Sequence, residues 1–142
     1  GFPFSGFLIS PMFAARKGML GTTFGGNHLG CAAALAVLKI IREEKLIENA
    51  LHTGTYLMQR LQELHSPLIK EIRGRGLMVG VELTVPVKEV REPLLFEEGI
   101  FTGYSGQYTL RILPPLILST KEVDIFVGSL KKVLDEYYEN SR

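Results

Sequence analysis

Apolar residues recur at helical spacing in two consecutive segments of the first half of the chain. Residues 28–44 are rich in Ala and Leu, contain no proline, and follow Asn27, a residue type that caps helix N-termini. Because apolar side chains surround most of this segment, the pattern predicts a helix that is buried on all sides. Residues 46–64 repeat apolar positions every three or four residues, which predicts a second helix with one buried face.

Alternation with a period of two predicts a β-hairpin after these helices. Residues 69–73 and 77–83 flank a turn at residues 74–76, Gly-Arg-Gly. This turn lacks the glycine spacing of a dinucleotide loop and the lysine of a phosphate loop, so a tight hairpin is the favoured interpretation. One face of the second strand carries Leu77, Val79, Val81 and Leu83.

Two short apolar runs lie before the first helix. Residues 7–9, closed by Ser-Pro, predict the end of a buried strand. Residues 13–17 predict a helical turn that stops near Gly18.

The second half of the chain contains weaker strand signals between two helices. Residues 88–98 predict a short helix, interrupted or started near Pro93. Residues 100–101 and 108–113 predict two strands. The link between these strands is predicted at Gly103, Ser105 and Gly106.

The last helix has the clearest start signal. Ser119 is followed three residues later by Glu122, which is the capping-box pattern, and an apolar stripe continues through residues 123–137. Helices and short strands alternate along the chain, which predicts an α/β layer that ends in a small α+β unit of roughly three strands covered by helices.

The composition is that of an ordinary globular chain. The 142 residues are 46% hydrophobic and 22% charged, and the net charge of +1 gives no electrostatic basis for binding nucleic acid. No apolar run reaches the about 18 residues that a membrane helix needs. The single cysteine, Cys31, excludes an internal disulfide and favours a reducing, cytoplasmic compartment. The first residue is not Met, which indicates a fragment or a processed chain.

The residues that most often carry chemistry do not form a recognisable active site. His28, His52 and His65 lack the spacing of metal ligands, so a structural role is favoured for each and no metal site is predicted. Cys31 lies in the Ala-rich apolar helix, where packing is favoured over nucleophilic use.

Two polar features of the sequence suit an anionic ligand. Thr22 and Thr23 lie in a glycine-containing loop just before a helix, where hydroxyls and backbone N–H groups suit a phosphate, although a capped loop without a ligand is the favoured alternative. Arg111 lies between two apolar residues in a predicted strand, so it either points to solvent or clamps a substrate carboxylate. The residues alone leave both pairs of alternatives open.

Six segments follow one another in a recognisable order, at residues 1–3, 5–9, 21–27, 31–33, 73–83 and 110–116. The most specific of them is Gly-Thr-Thr-Phe-Gly-Gly-Asn at residues 21–27. Together the segments resemble class III aminotransferases, the fold-type I group that includes acetylornithine and ornithine aminotransferases, and the form of residues 21–27 is similar to acetylornithine aminotransferases in particular. His28 departs from the proline that is common at that point in the family.

The resemblance implies a fold and a division into domains. Residues 1–44 would be the C-terminal edge of the large cofactor-binding domain with a connecting helix. Residues 45–142 would be the small C-terminal domain, with a short, mostly antiparallel sheet covered by helices. The fold class would then be α/β passing to α+β, and the enzyme would be a homodimer.

The resemblance also implies a cofactor, pyridoxal 5′-phosphate, and roles for three residues. Thr23 would donate to the cofactor phosphate in the neighbouring subunit's site, Thr22 would contact an acylated ornithine, and Arg111 would lie near the substrate carboxylate. The implied reaction transfers the terminal amino group of N-acetylornithine to 2-oxoglutarate in arginine biosynthesis. In such enzymes the cofactor carries the electron-sink chemistry and the protein binds and orients it.

The lysine that forms a Schiff base with the cofactor would, by the family motif, lie just before Gly1. Lys17, the nearest lysine present, follows the predicted strand and has the wrong sequence context. The 142 residues are therefore expected to contain no catalytic residue and to be inactive alone. Two alternatives stay open: a related class III enzyme that acts on succinylornithine, ornithine or 4-aminobutyrate, and a non-catalytic domain that binds a partner protein.

Overall fold

The computed structural model describes residues 3–6, 8–14, 16–19 and 21–141, and these fall into two units. The first unit is Gly1–Lys45 and the second is Leu46–Arg142. Their boundary lies one residue from the boundary between the predicted domains, 1–44 and 45–142. Assigning the first unit to a large cofactor-binding domain and the second to a small C-terminal domain stays a prediction.

The first unit contains one long helix, α1 (His28–Glu43), as predicted. Its N-terminus is capped by Asn27, whose Oδ1 accepts a hydrogen bond of 2.7 Å from the backbone N–H of Gly30. The described part of the chain does not bury this helix on all sides, since Leu29 and Leu35 each expose 68% of their surface. The described part of the unit contains no second helix or strand that could cover them.

The strand end predicted at residues 7–9 is also not formed. Phe7 lies outside the described residues, while Leu8 and Ile9 have no strand pairing and expose 102% and 49% of their surface. A strand needs a neighbouring strand to share its backbone hydrogen bonds, and the described residues of this unit offer none.

Turns replace the helical turn that residues 13–17 predicted. The N–H of Phe13 donates to the carbonyl of Ser10, and the N–H of Met19 donates to the carbonyl of Arg16, each at 3.0 Å. Residue 15 lies outside the described residues. These are contacts between residues three apart that are not continued into a helix, because nucleating a helix is costly for so short a segment.

The second unit is an antiparallel sheet with helices packed on it. Its elements are α2 (Leu46–Gln62), β1 (Ile69–Arg75), β2 (Met78–Leu83), α3 (Lys88–Phe96), β3 (Gly103–Ser105), β4 (Thr109–Ile112) and α4 (Thr120–Asn140). The strands run in the spatial order β1-β2-β4-β3, and each neighbouring pair is antiparallel, which agrees with the predicted α+β unit. Contacts connect α2 and α3 to α4, and α2 to the sheet.

The sheet has four strands rather than roughly three, because the predicted link is itself a strand. Gly103–Ser105 forms β3 and pairs with β4, and the turn follows at Gly106, which has a φ of 62°. The strand predicted at residues 100–101 is not formed. Instead, the N–H of Ile100 donates to the carbonyl of Leu94 at 2.7 Å, which ties this segment to the end of α3.

The core lies between one face of the sheet and the helices. The predicted alternation in β2 is confirmed, since Val79, Val81 and Leu83 are buried, and β4 buries Leu110 and Ile112 beside them. The stripe of α4 and its capping box are confirmed as well. Helix α4 contributes Val123, Val127, Leu130, Val133 and Leu134 to this core.

Candidate functional site

The loop before α1 is closed by its own hydrogen bonds. The N–H of Gly25 donates to the carbonyl of Thr22 at 3.2 Å, and the N–H of Asn27 donates to the carbonyl of Phe24 at 3.3 Å. The side-chain amide of Asn27 donates to the same carbonyl at 3.0 Å while its oxygen caps the helix. These bonds shape the loop as two tight turns that end at the helix N-terminus.

This loop presents donors in a setting that suits an anion. Thr22 and Thr23 are adjacent and both are exposed. The first turn of α1 carries no acidic residue, so the partial positive charge of the helix N-terminus is not offset there. Hydroxyls beside such a terminus are able to donate to a phosphate or carboxylate.

Arg111 lies on the sheet face that points away from the core. It is exposed, whereas its neighbours Leu110 and Ile112 are buried, so the alternation predicted from the sequence is confirmed. In the register of the sheet, Arg111 lies opposite Gly80 of β2 on one side and Gly103 of β3 on the other. Its guanidinium lies over β3, since a Cβ built at Gly103 would be 2.9 Å from the Nε of Arg111.

Arg73, two strands away on this sheet face, is neutralised by acids. Arg73 pairs with Glu82 at 2.8 Å and with Glu71 at 3.0 Å. The hydrogen bonds from Lys70 and then from Arg73 hold the pKa of Glu82 below its usual range, so that carboxylate stays ionised. Within the described residues, Arg111 has neither an ion pair nor a hydrogen bond from its guanidinium. Arg111 is therefore a cation of this face that is available to an added carboxylate, as is Arg75, which lies opposite Met78 at the end of β1.

Arg111 also lines a cavity of about 400 Å³ in the second unit. Thr102 lines it too, and its hydroxyl is buried without a hydrogen-bond partner among the described residues. No local pattern singles out Thr102, because its burial depends on packing between distant segments. Most of the other lining side chains are apolar, including Leu57, Ile100, Phe101, Ile112, Leu113, Leu118, Val123, Ile125 and Phe126.

Arg91 and Tyr104 hold β3 beside α3, and sequence reasoning missed both. The guanidinium carbon of Arg91 lies 5.0 Å from the centre of the Tyr104 ring, which is a cation–π contact. The Nε of Arg91 donates to the carbonyl of Thr102 at 3.0 Å. Because tyrosine favours strands, Tyr104 is the sequence feature that could have indicated a strand where a link was predicted.

The structure places the predicted site residues in both units. Thr22 and Thr23 share one loop of the first unit, whereas Arg111 belongs to the second. Cys31 is half-buried in α1. In the ranges that the structure describes, no three His, Cys, Asp or Glu side chains cluster as metal ligands, and no helix is long and apolar enough to cross a bilayer.

Comparisons with known proteins match this chain to aminotransferases. The sequence model of the aminotransferase class-III family matches residues 1–134. An ornithine aminotransferase of Brevibacillus brevis is 42% identical over 119 residues, which are 84% of this chain and 30% of that protein. The chain thus spans about a third or less of the length of the curated relatives that it matches.

Solved structures show the same similarity in three dimensions. The ornithine δ-aminotransferase of Plasmodium falciparum superposes with a TM-score of 0.82 at 30% identity, covering 89% of this chain and 34% of that one. The ornithine aminotransferase of Toxoplasma gondii gives a TM-score of 0.81 at 32% identity, covering 88% of this chain and 30% of that one. The latter structure is described as having pyridoxal phosphate at partial occupancy in its active site.

Proposed function

Because the chain belongs to the class III aminotransferase family, whose members depend on pyridoxal phosphate, we propose that it forms part of a transaminase that uses ornithine as the amino donor. The acceptor is a 2-oxo acid, with 2-oxoglutarate as the proposed compound. The observation that carries the proposal is Arg111, a cation that lines the cavity and has no acid partner among the described residues, whereas Arg73 on the same sheet face is neutralised. The family match argues against the non-catalytic alternative.

Ornithine is preferred over N-acetylornithine because of the relatives. The Gly-Thr-Thr-Phe-Gly-Gly-Asn motif favoured N-acetylornithine, but the relatives at 38–42% identity carry the name ornithine aminotransferase. Both donors offer the same terminal amine and differ only in whether the second nitrogen is charged or acylated. N-acetylornithine, with its place in arginine biosynthesis, is therefore kept as the second candidate.

The loop of residues 22–27 fits the phosphate of pyridoxal phosphate. We propose that Thr23 donates its hydroxyl to that phosphate and that Thr22 contacts the amino donor, within a homodimer in which the loop serves the neighbouring subunit's site. The exposed hydroxyls and the acid-free first turn of α1 support this, since a phosphate dianion needs donors and no nearby negative charge. When bound, the cofactor supplies the electron sink for amino transfer.

Arg111 is proposed to orient the substrate by its carboxylate. A guanidinium donates two parallel hydrogen bonds to a carboxylate, which fixes both its distance and its plane. Arg111 is free to do so, because the acids of the sheet face pair with Arg73 and Lys70. A cytoplasmic location follows from the single half-buried cysteine and is likewise a proposal.

A donor panel decides between the candidates. The protein expressed from its complete reading frame is assayed with 2-oxoglutarate and with ornithine, N-acetylornithine, succinylornithine or 4-aminobutyrate in turn. We expect kcat/KM to be highest for ornithine, by about tenfold or more, since a site built for a charged group rejects its neutral analogue. A higher kcat/KM for N-acetylornithine would replace ornithine with the second candidate, and activity with none of the four would refute both.

A further inference from the structure

A row of arginines and glycines crosses the outer face of the sheet. Arg73 of β1 lies opposite Gly80 of β2, Gly80 lies opposite Arg111 of β4, and Arg111 lies opposite Gly103 of β3. Directly opposed residues of antiparallel strands project from the same face, so these four positions share one surface. Each arginine in the row therefore has a glycine beside it.

The two glycines next to Arg111 differ in what a side chain would meet. A Cβ at Gly103 would lie 2.9 Å from Nε and 3.1 Å from Nη2 of Arg111, so the guanidinium occupies the space that a side chain would fill. A Cβ at Gly80 would lie 3.3 Å from Cγ2 of Thr109 and 3.9 Å from Cγ of Arg73. Only the glycine of β3 thus makes room for the charged end of Arg111.

Neither glycine is required by its backbone conformation. Both lie outside the left-handed region, so alanine fits the φ angle at either position. At Gly103 the clashing atoms are the far end of a flexible side chain, which is able to move away without disturbing the sheet. We therefore expect a methyl group there to displace the guanidinium of Arg111 and to leave the sheet in place.

We propose that Gly103 is a positioning residue that determines where Arg111 presents its guanidinium to a substrate carboxylate. The missing side chain lets the guanidinium lie against the backbone of β3, an edge strand, and not stand out from the sheet. Arg91 supports this arrangement, because its bonds to Thr102 and Tyr104 hold β3 on both sides of Gly103. The inference rests on the proposed function in one respect, the carboxylate ligand of Arg111.

The test compares Gly103→Ala with Gly80→Ala, which adds the same methyl group on the opposite side of Arg111. The protein from the complete reading frame is labelled with ¹⁵N at arginine Nε, and the Arg111 signal is assigned with Arg111→Lys. Each variant is titrated with 2-oxoglutarate, and kcat and KM for 2-oxoglutarate are measured in the amino-transfer assay. Thermal unfolding shows whether the fold is intact.

We expect Gly103→Ala to shift the Arg111 Nε signal of the free protein. We also expect it to raise both the Kd and the KM for 2-oxoglutarate about tenfold, because a tenfold loss of affinity corresponds to one lost charge-assisted hydrogen bond. Its kcat and its Tm should stay near the wild-type values, and Gly80→Ala should match the wild type throughout. Equal behaviour of the two alanine variants would overturn the inference. So would a wild-type Arg111 signal that 2-oxoglutarate leaves unchanged.

The two proposals fail in different ways. If no donor supports amino transfer but the alanine variants still differ in 2-oxoglutarate binding, the proposed function falls and the role of Gly103 stands. If amino transfer occurs and Gly103→Ala behaves like Gly80→Ala, the function stands and the role of Gly103 falls.

Discussion

At the scale of single residues, Gly54 sets the distance between α2 and the β1–β2 turn. A Cβ built at Gly54 would lie 2.2 Å from the carbonyl oxygen of Gly76 and 2.7 Å from its Cα. These are backbone atoms, which cannot move aside as a side chain does. Gly76 itself has a φ of 55°, a backbone conformation that favours glycine at this position of the turn. The helix and the turn therefore touch backbone to backbone.

Gly54→Ala is expected to destabilise the chain by about 3 kcal/mol, because the added methyl group forces α2 away from the turn. Gly128→Ala is the matched control, since Gly128 is an exposed glycine of α4 with open space at its Cβ. Removing that helical glycine should stabilise the chain by about 0.5–1 kcal/mol. Urea unfolding of the 142-residue chain measures both, and equal effects would contradict the close approach of Gly54 and Gly76.

Single-residue features were predictable where their cause is local. The capping box of Ser119 and Glu122, the N-cap of Asn27 and the outward alternation of Arg111 all depend on neighbours within a few positions. The contacts of Gly54 and Gly103 depend on residues that are distant in sequence or on another strand, so no spacing rule reveals them.

At the scale of elements, one carboxylate bridges α2 and α4. Asp124 of α4 accepts hydrogen bonds from the hydroxyl of Tyr56 at 2.8 Å and from Nε of Arg60 at 3.0 Å, both on α2. The bond from Tyr56, followed by that from Arg60, lowers the pKa of Asp124 below its usual range. The ionised carboxylate is thus the form that connects the two helices.

This bridge makes stability depend on pH in a defined direction. A carboxylate with a lowered pKa in the folded state stabilises fully above its unfolded pKa of about 4, and this contribution disappears as the pH falls through the folded pKa. Asp124→Asn should therefore reduce the free energy of unfolding most at about pH 7 and least at about pH 3. Denaturant unfolding across that range measures the difference.

The control is Asp135→Asn, a substitution on the same helix. Asp135 pairs with Lys131 within α4 and does not bridge two elements, so its loss should change the free energy of unfolding less. A difference between wild type and Asp124→Asn that stays constant with pH would contradict the bridging role of the ionised carboxylate.

Elements were predicted best where the pattern was long. The helices α2 and α4 and the hairpin of β1 and β2 follow from apolar periodicity over many residues. The predictions for short segments were wrong. Residues 7–9 lack a pairing partner among the described residues and form no strand. The predicted link at residues 103–105 is the strand β3, because β4 pairs with it and Arg91 of α3 holds the residue before it. Local sequence does not contain those tertiary partners.

At the scale of the whole molecule, α1 shows that an apolar pattern predicts a helix but not what covers it. The sequence predicted a fully buried helix, and the helix is present, but Leu29 and Leu35 remain exposed within a unit that has no other described element to cover them. The family was recognisable from ordered motifs, and the family match confirms it. The amino donor could not be recognised from the motifs, since the motif at residues 21–27 favours N-acetylornithine and the relatives favour ornithine.

The measurement that tests the central claim most directly is glutamate formation from ornithine and 2-oxoglutarate as pyridoxal phosphate is titrated into the protein from the complete reading frame. The prediction is a saturable, cofactor-dependent rate, with Thr23→Ala requiring about tenfold more cofactor for half-saturation, as expected for one lost hydrogen bond to a phosphate. The absence of glutamate at saturating cofactor, with each of the four donors, would contradict the proposed transaminase.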